Sequence, residues 1–99
     1  MSGSRKRRML LTSAVVAGGA SSIVADLSDY TKAVVIYGKG NSTNGTLMAS
    51  ADGTNFIAVA SAYTADTVVS LDPAPRHLRV DVVGGTTARV QIEGVKEIG

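Results

Sequence analysis

The stretch HLRVDVVGGTTARVQIEG, from His77 to Gly94, contains two runs in which apolar and polar residues alternate. In the first run Leu78, Val80 and Val82 share one face, and two charged residues share the other. A second alternating run follows Gly84-Gly85, and the two glycines predict a turn between the runs. Alternation with a period of two indicates β-strands that turn one face to the core and the other to solvent.

The rest of the chain consists of similar short apolar runs, each bounded by glycine, asparagine, aspartate or proline. No long segment shows the apolar spacing of a helix. Seven or eight strands at this spacing predict an all-β protein, an antiparallel β-sandwich or jelly-roll-like barrel with less than about a tenth of the chain in helix. Besides HLRVDVV and TARVQIEG, the predicted strands are MLLTSAVV, SSIVADL, KAVVIYG, TLMAS, NFIAVAS and DTVVSL.

The core is predicted from one consistent alternation along these strands. Valine and alanine supply most of its apolar residues, because the chain has one Phe and no Trp. Such a core buries little area per residue, so hydrophobic burial stabilises a lone monomer only modestly. We therefore expect self-association, most simply as a trimer. The predicted core residues are Val34, Ile36, Phe56, Val69, Leu71, Leu78, Val80, Val82, Val90 and Ile92.

The chain offers few residues for chemistry. It contains no cysteine, which excludes disulfides, thiolate metal sites and cysteine nucleophiles. His77 is the only histidine and lies beside Arg76 and Arg79, without a second ligand or a nearby carboxylate pair. No glycine-rich phosphate loop leads from a strand into a helix. We therefore expect neither an enzyme nor a cofactor.

The stretch SADGTNFIAVA, from Ser50 to Ala60, places Asp52-Gly53 between two apolar runs. A calcium loop requires several oxygen ligands at alternating positions, but here only Asn55 accompanies Asp52. An Asp-Gly pair between apolar runs is a strong signal for a hairpin, typically with a type I′ turn. The stretch is therefore predicted to be a hairpin turn after which Phe56 enters the core.

Positive charge is concentrated at the start of the chain, where Arg5, Lys6, Arg7 and Arg8 supply four of the ten basic residues. The six remaining basic and eight acidic residues leave the rest of the chain at −2. This polarity predicts a basic arm at 1–11 and a single β-sandwich domain at 12–99.

The arm is predicted to leave the domain and bind a neighbouring protein subunit. Its four cations would meet acidic side chains, and Met9, Leu10 and Leu11 would add apolar burial as a strand on the neighbour's sheet edge. Packaged nucleic acid is the alternative partner, since it also attracts four cations. A solvated tail that only aids solubility is a further interpretation.

The start of the chain also has the outline of a secretory signal, with a basic beginning and an apolar stretch from Met9 to Ala17. Thr12-Ser13 interrupts this stretch and Gly18-Gly19 ends it. We therefore expect it to form a strand of the fold. No stretch approaches the ~20 apolar residues of a membrane helix, so no membrane association is expected.

Several motifs together resemble the small virion proteins of tailed bacteriophages over about residues 23–95. The matching residues are Ser50, Asp52, Gly53 and Phe56, then Leu78-Arg79-Val80-Asp81-Val82, Gly84-Gly85, and Val90 to Ile92. Discoidin-like carbohydrate-binding sandwiches share the Asp-Gly hairpin and the arginine-containing strand.

The phage resemblance implies a capsid decoration or cement protein on the virion surface, assembled in the host cytoplasm. Such a protein stabilises the head by binding neighbouring capsid subunits, usually as a trimer, so its partners would be itself and the major capsid protein or another virion protein. A small head–tail or tail component is an alternative. A discoidin-like module that binds carbohydrate or a host surface is another, with Tyr30, Tyr37 and Tyr63 as the candidate exposed aromatics.

Overall fold

A computed structural model describes the backbone of residues 5–16 and 20–98 and the side chains of residues 24–96. All regular structure in these ranges is β-strand, and they contain no helix of the length and hydropathy needed to cross a membrane. The prediction of an all-β protein is confirmed. The strands are β1 Arg5–Val16, β2 Ala20–Asp26, β3 Lys32–Gly38, β4 Asn44–Ser50, β5 Ile57–Ala58, β6 Thr67–Leu71, β7 His77–Val83 and β8 Ala88–Ile98.

The strands form two four-stranded sheets that pack face to face. One sheet has the order β1-β8-β3-β6 and the other the order β2-β7-β4-β5. Every neighbouring pair of these strands is antiparallel. This strand order is that of a jelly roll, in which most connections pass from one sheet to the other.

The centre of the core comes from β7 and β8, the two strands whose alternation is clearest in the sequence. Each is paired on both sides within its sheet. Leu78, Val80, Val82, Val90 and Ile92 are at most 2% exposed, so the core prediction is confirmed for these residues.

Strand β3 turns the opposite face to the core from the one predicted. Ile36 is 36% exposed and Val34 half-buried, whereas Ala33, Val35 and Tyr37 are buried. Both faces of β3 are apolar, so alternation alone does not fix its phase. Pairing with β8 fixes it, because Val35 lies opposite buried Ile92.

Phe56 is not a core residue, and that prediction is wrong. It lies in the loop before β5, half-buried, with its ring 4.5 Å from the guanidinium carbon of Arg79 on the outer face of β7. Leu47 on β4 supplies a core side chain that the prediction omitted, at 1% exposure. Val69 and Leu71 are partly buried and pack against the core.

The Asp-Gly stretch does connect two paired strands, because Ala49 on β4 lies opposite Ile57 on β5. The connection is longer than a two-residue hairpin, since β4 ends at Ser50. Only Gly53 has a positive φ there, whereas a type I′ turn needs two such residues. The hairpin is confirmed and its expected turn type is wrong.

The residues predicted to form the basic arm fall in β1, which runs across the expected boundary between residues 11 and 12. The β1 backbone pairs with the chain's own β8, from Arg5 opposite Ile98 to Val16 opposite Ala88, with an irregularity between Leu10 and Thr12. The β1 side chains lie outside the described residues. Partner binding by the arm therefore stays a prediction.

Candidate assembly surface

One side of the sandwich is formed by the edge strands β5 and β6. Strands β1 and β2 contact each other at one side, so β5 and β6 form the opposite edges of the two sheets. We call this the open side, and we define it by five apolar residues: Ile57, Val59, Val68, Val69 and Leu71.

Two residues of the open side are in phase with the core but are not covered. Ile57 lies opposite Ala49, and the Val59 N–H donates to the carbonyl of buried Leu47 at 2.9 Å. Opposite residues in an antiparallel pair share a face, so Ile57 and Val59 belong to the inner face of their sheet. They are nevertheless 73% and 42% exposed.

Strand β6 presents an uncharged free edge. Among the described strands it pairs only with β3, and its five residues, TVVSL, contain no charge and no proline. Natural edge strands are usually protected by lysine, proline or a bulge against pairing with another chain. On the outer face Val68, 66% exposed, lies opposite Ile36. This edge is therefore open to further strand pairing.

An aspartate lies at each end of β6. Asp66 accepts the backbone N–H of Lys39 at 2.8 Å. Asp72 is 3.4 Å from the ammonium of Lys32, yet its side chain remains 64% exposed. The edge thus combines an uncharged centre with an acidic group at each end.

A groove of about 450 Å³ opens where β3 begins and β6 ends. Apart from the ion pair of Lys32 with Asp72 and one serine, its lining is apolar. A small-molecule site normally has several convergent polar groups, and this groove is better described as an extension of the open side. Its lining residues are Lys32, Ala33, Val34, Ser70, Leu71, Asp72 and Val95.

The loop around Asp52 is closed by its own hydrogen bonds. The carboxylate accepts the backbone N–H groups of Asn55 and Thr54 at 2.8 Å each, the Asn55 side-chain amide and the Ser50 hydroxyl. These donors, led by the Asn55 N–H, hold the pKa of Asp52 well below its ordinary value of 3.8. The carboxylate thus orders the loop, and no group of three potential metal ligands occurs among the described residues.

His77 and Arg79 support this loop from β7. The His77 ring lies against Gly53, where an added Cβ would be 3.2 Å from Nε2. The guanidinium of Arg79 contacts both carboxylate oxygens of Asp81, at 2.9 and 3.1 Å, while Phe56 covers its face. The charge of Arg79 is therefore compensated within the chain.

None of the three tyrosines forms an exposed aromatic platform. Tyr37 is 2% exposed, and Tyr30 and Tyr63 are half-buried against the core. The carbohydrate-binding interpretation therefore lacks the exposed aromatics that would favour it. The seven residues predicted to bind a partner all lie on β1, across the sandwich from the open side: Arg5, Lys6, Arg7, Arg8, Met9, Leu10 and Leu11.

Neither the protein-family models nor the curated proteins include a match to this chain. A solved structure from work on Bacillus endospore appendages, described as a novel family of disulfide-linked pili, has a similar fold. It aligns with a TM-score of 0.52 over 97% of this chain and 89% of its own, at 14% identity. At that identity the likeness concerns the fold alone. This sequence, moreover, has no cysteine with which to form a disulfide link.

Proposed function

We propose that this chain is a structural subunit that works in many copies and buries its open side against a neighbour. The observation that carries this proposal is the exposure of Ile57 and Val59, which are in phase with the core. They adjoin β6, whose five residues include no charge or proline to prevent pairing. An inward-facing apolar pair beside an open sheet edge is suited to an inter-subunit contact.

The energetics favour the same role. Full burial of one valine or isoleucine contributes about 1.5–3 kcal/mol. Burying Ile57, Val59 and Val68 would therefore contribute one such free energy for each side chain. The entropic and desolvation costs of association reduce this gain. The core, by contrast, consists mainly of valine, leucine and alanine, with Tyr37 as its largest fully buried side chain.

The specific form we favour is a capsid decoration protein of a tailed bacteriophage, which binds neighbouring capsid subunits and stabilises the head. The resemblance through Ser50, Asp52, Gly53 and Phe56 supports it. These residues belong to one ordered loop, in which the Ser50 hydroxyl accepts the Gly53 N–H at 2.9 Å and Phe56 covers Arg79. A head–tail or tail component would use the same surfaces.

A fibre subunit is the second candidate, supported by the similarity of fold to a protein described as forming pili. Both candidate functions need contacts between copies, but they differ in the kind of assembly that these contacts form. A decoration protein forms small closed oligomers that attach to a shell, whereas a fibre subunit forms open filaments without a shell.

Sedimentation velocity of the full chain, from low to high micromolar concentration, tests the shared claim. We expect species larger than the monomer, with a proportion that rises with concentration. Negative-stain electron microscopy of the same samples separates closed rings from filaments. A strictly monomeric chain at every concentration would contradict the proposal.

A further inference from the structure

We propose that copies join head to tail, with β6 of one copy pairing antiparallel to β1 of the next. This inference rests on the proposed structural function and specifies its partner, a second copy of this chain. It requires no rearrangement, because β1 and β6 are already the two edges of the same sheet.

Strand direction permits this joint. Each neighbouring pair in the order β1-β8-β3-β6 is antiparallel, so β1 and β6 run in opposite directions. A second copy displaced along the sheet in the same orientation therefore brings its β1 antiparallel to β6. The order β2-β7-β4-β5 gives the same result for β2 and β5. One displacement can thus extend both sheets at once.

Charge disfavours the main rival, a two-fold pair of β6 strands. Antiparallel pairing of Thr67–Leu71 with itself would centre on Val69. Asp66 would then lie opposite the partner's Asp72, and this contact of like charges would occur twice. Like charges directly opposite each other destabilise an antiparallel pair.

The β1 edge carries the complementary charges. Met9–Val16 is uncharged and long enough to cover the five residues of β6, and Arg5–Arg8 precedes it on the same strand. In antiparallel pairing the end of β6 lies beside the beginning of β1. Asp72, with its exposed carboxylate, would therefore lie next to this cationic segment.

The same joint covers the inner-face residues of the open side. The neighbour's β2 would approach β5, a strand of only two residues, where Ile57 and Val59 are exposed. The facing segment of β2, Ala20–Ala25, is uncharged. Ile57 and Val59 would therefore not be buried against a charged residue of the neighbour's β2.

Cysteine cross-linking between copies tests the joint, because every introduced thiol is unique in a chain without cysteine. Because of the irregularity between Leu10 and Thr12, the register that puts Asp72 opposite Arg8 puts Val68 opposite Ser13. Val68→Cys, carrying a size tag, is mixed under mild oxidation with untagged Ser13→Cys or, for a one-pair slip, Val15→Cys. The matched control is Val83→Cys, an exposed valine on a central strand of the other sheet.

We expect at least about tenfold more tagged–untagged disulfide with Ser13→Cys or Val15→Cys than with Val83→Cys, since opposite Cβ atoms in a ladder lie within about 5.5 Å. If wild-type chains assemble but neither β1 variant exceeds the control, the head-to-tail joint is refuted while the structural function stands. Efficient self-cross-linking of Val69→Cys would instead establish the two-fold pair and also refute the joint. Absence of any assembly would refute the structural function itself.

Discussion

At the scale of single residues, Tyr37 connects β3 to the loop before β4. Its hydroxyl donates to the Ser42 hydroxyl oxygen at 2.5 Å, and Ser42 donates in turn to the Lys39 carbonyl at 2.7 Å. Its ring lies against Gly45, where an added Cβ would be 2.7 Å from a ring carbon. The Tyr37 ring therefore needs a glycine at position 45 for its packing, and its hydroxyl needs Ser42 for its hydrogen bond.

Substitutions at this contact should separate packing from hydrogen bonding. We expect Gly45→Ala to lower the free energy of unfolding by about 1–3 kcal/mol, because the ring must move. Tyr37→Phe should cost about 0.5–1.5 kcal/mol, since only one hydrogen bond is lost. Urea denaturation measures both, and an unchanged midpoint for Gly45→Ala would show that the ring does not fill this space.

Leu47 and Phe56 should differ in their contribution to stability. Leu47→Ala removes a side chain that is 1% exposed and should cost about 2–5 kcal/mol. Phe56→Ala removes a half-buried ring over an arginine and should cost about 1 kcal/mol. A larger loss for Phe56→Ala, measured by the same urea titration, would reinstate Phe56 as a core residue.

The loop carboxylate makes stability depend on pH. Hydrogen bonds from Asn55, Thr54 and Ser50 lower the pKa of Asp52 in the folded chain below its ordinary 3.8. A lowered folded pKa contributes stability that is present above the unfolded pKa and is lost as the pH falls through the folded value. We expect the urea midpoint of the wild type to fall more steeply below pH 3.8 than that of Asp52→Asn. Parallel profiles would contradict this role.

At the scale of strands, the sequence predicts an element well where one face is clearly polar. β7 has Arg79 and Asp81 on its outer face, so its inner face was predicted correctly. β3 is apolar on both faces, and only pairing with β8 fixes its phase. The turn type before β5 was mispredicted because the hydrogen bonds of Asp52 stabilise a connection longer than a two-residue turn.

The candidate site could be predicted only in part. The cationic run at Arg5–Arg8 is visible in the sequence, whereas the free edge of β6 depends on which strand ends each sheet. One local signal of this site is the two-residue spacing of Ile57 and Val59, which places both side chains on the core-facing side of their sheet. Their exposure follows from the arrangement of both sheets, which single-strand patterns do not contain.

Charge at the end of β6 should affect assembly more than folding, because the ion pair of Asp72 with Lys32 is exposed and contributes little to stability. Asp72→Lys would place a cation beside Arg5–Arg8 of the next copy. We expect the dissociation constant between copies to rise by up to about fivefold, the equivalent of about 1 kcal/mol for an exposed ion pair. Sedimentation measures the change, and Asp29→Lys in the exposed loop before β3 is the control. Equal effects of the two variants would contradict a specific role for Asp72.

At the scale of the whole molecule, a head-to-tail joint produces closed rings if its rotation closes and filaments if it does not. The expected trimer would be such a ring and stays a prediction. Each copy adds four strands to each sheet, so copies joined edge to edge should repeat about every 19 Å at ordinary strand spacing. Image averaging of the assemblies checks this distance, and a repeat far from it would contradict continuous sheets.

The most direct test of the account is the sedimentation of two matched lysine variants. Val68→Lys places a charge on the edge strand of the open side, and Val83→Lys places one at an exposed valine on the central strand β7. Both side chains lie outside the core, so both variants should fold. We predict that Val68→Lys stays monomeric at concentrations where the wild type and Val83→Lys assemble. Assembly of Val68→Lys at the wild-type level would contradict the claim that this chain acts through its open side.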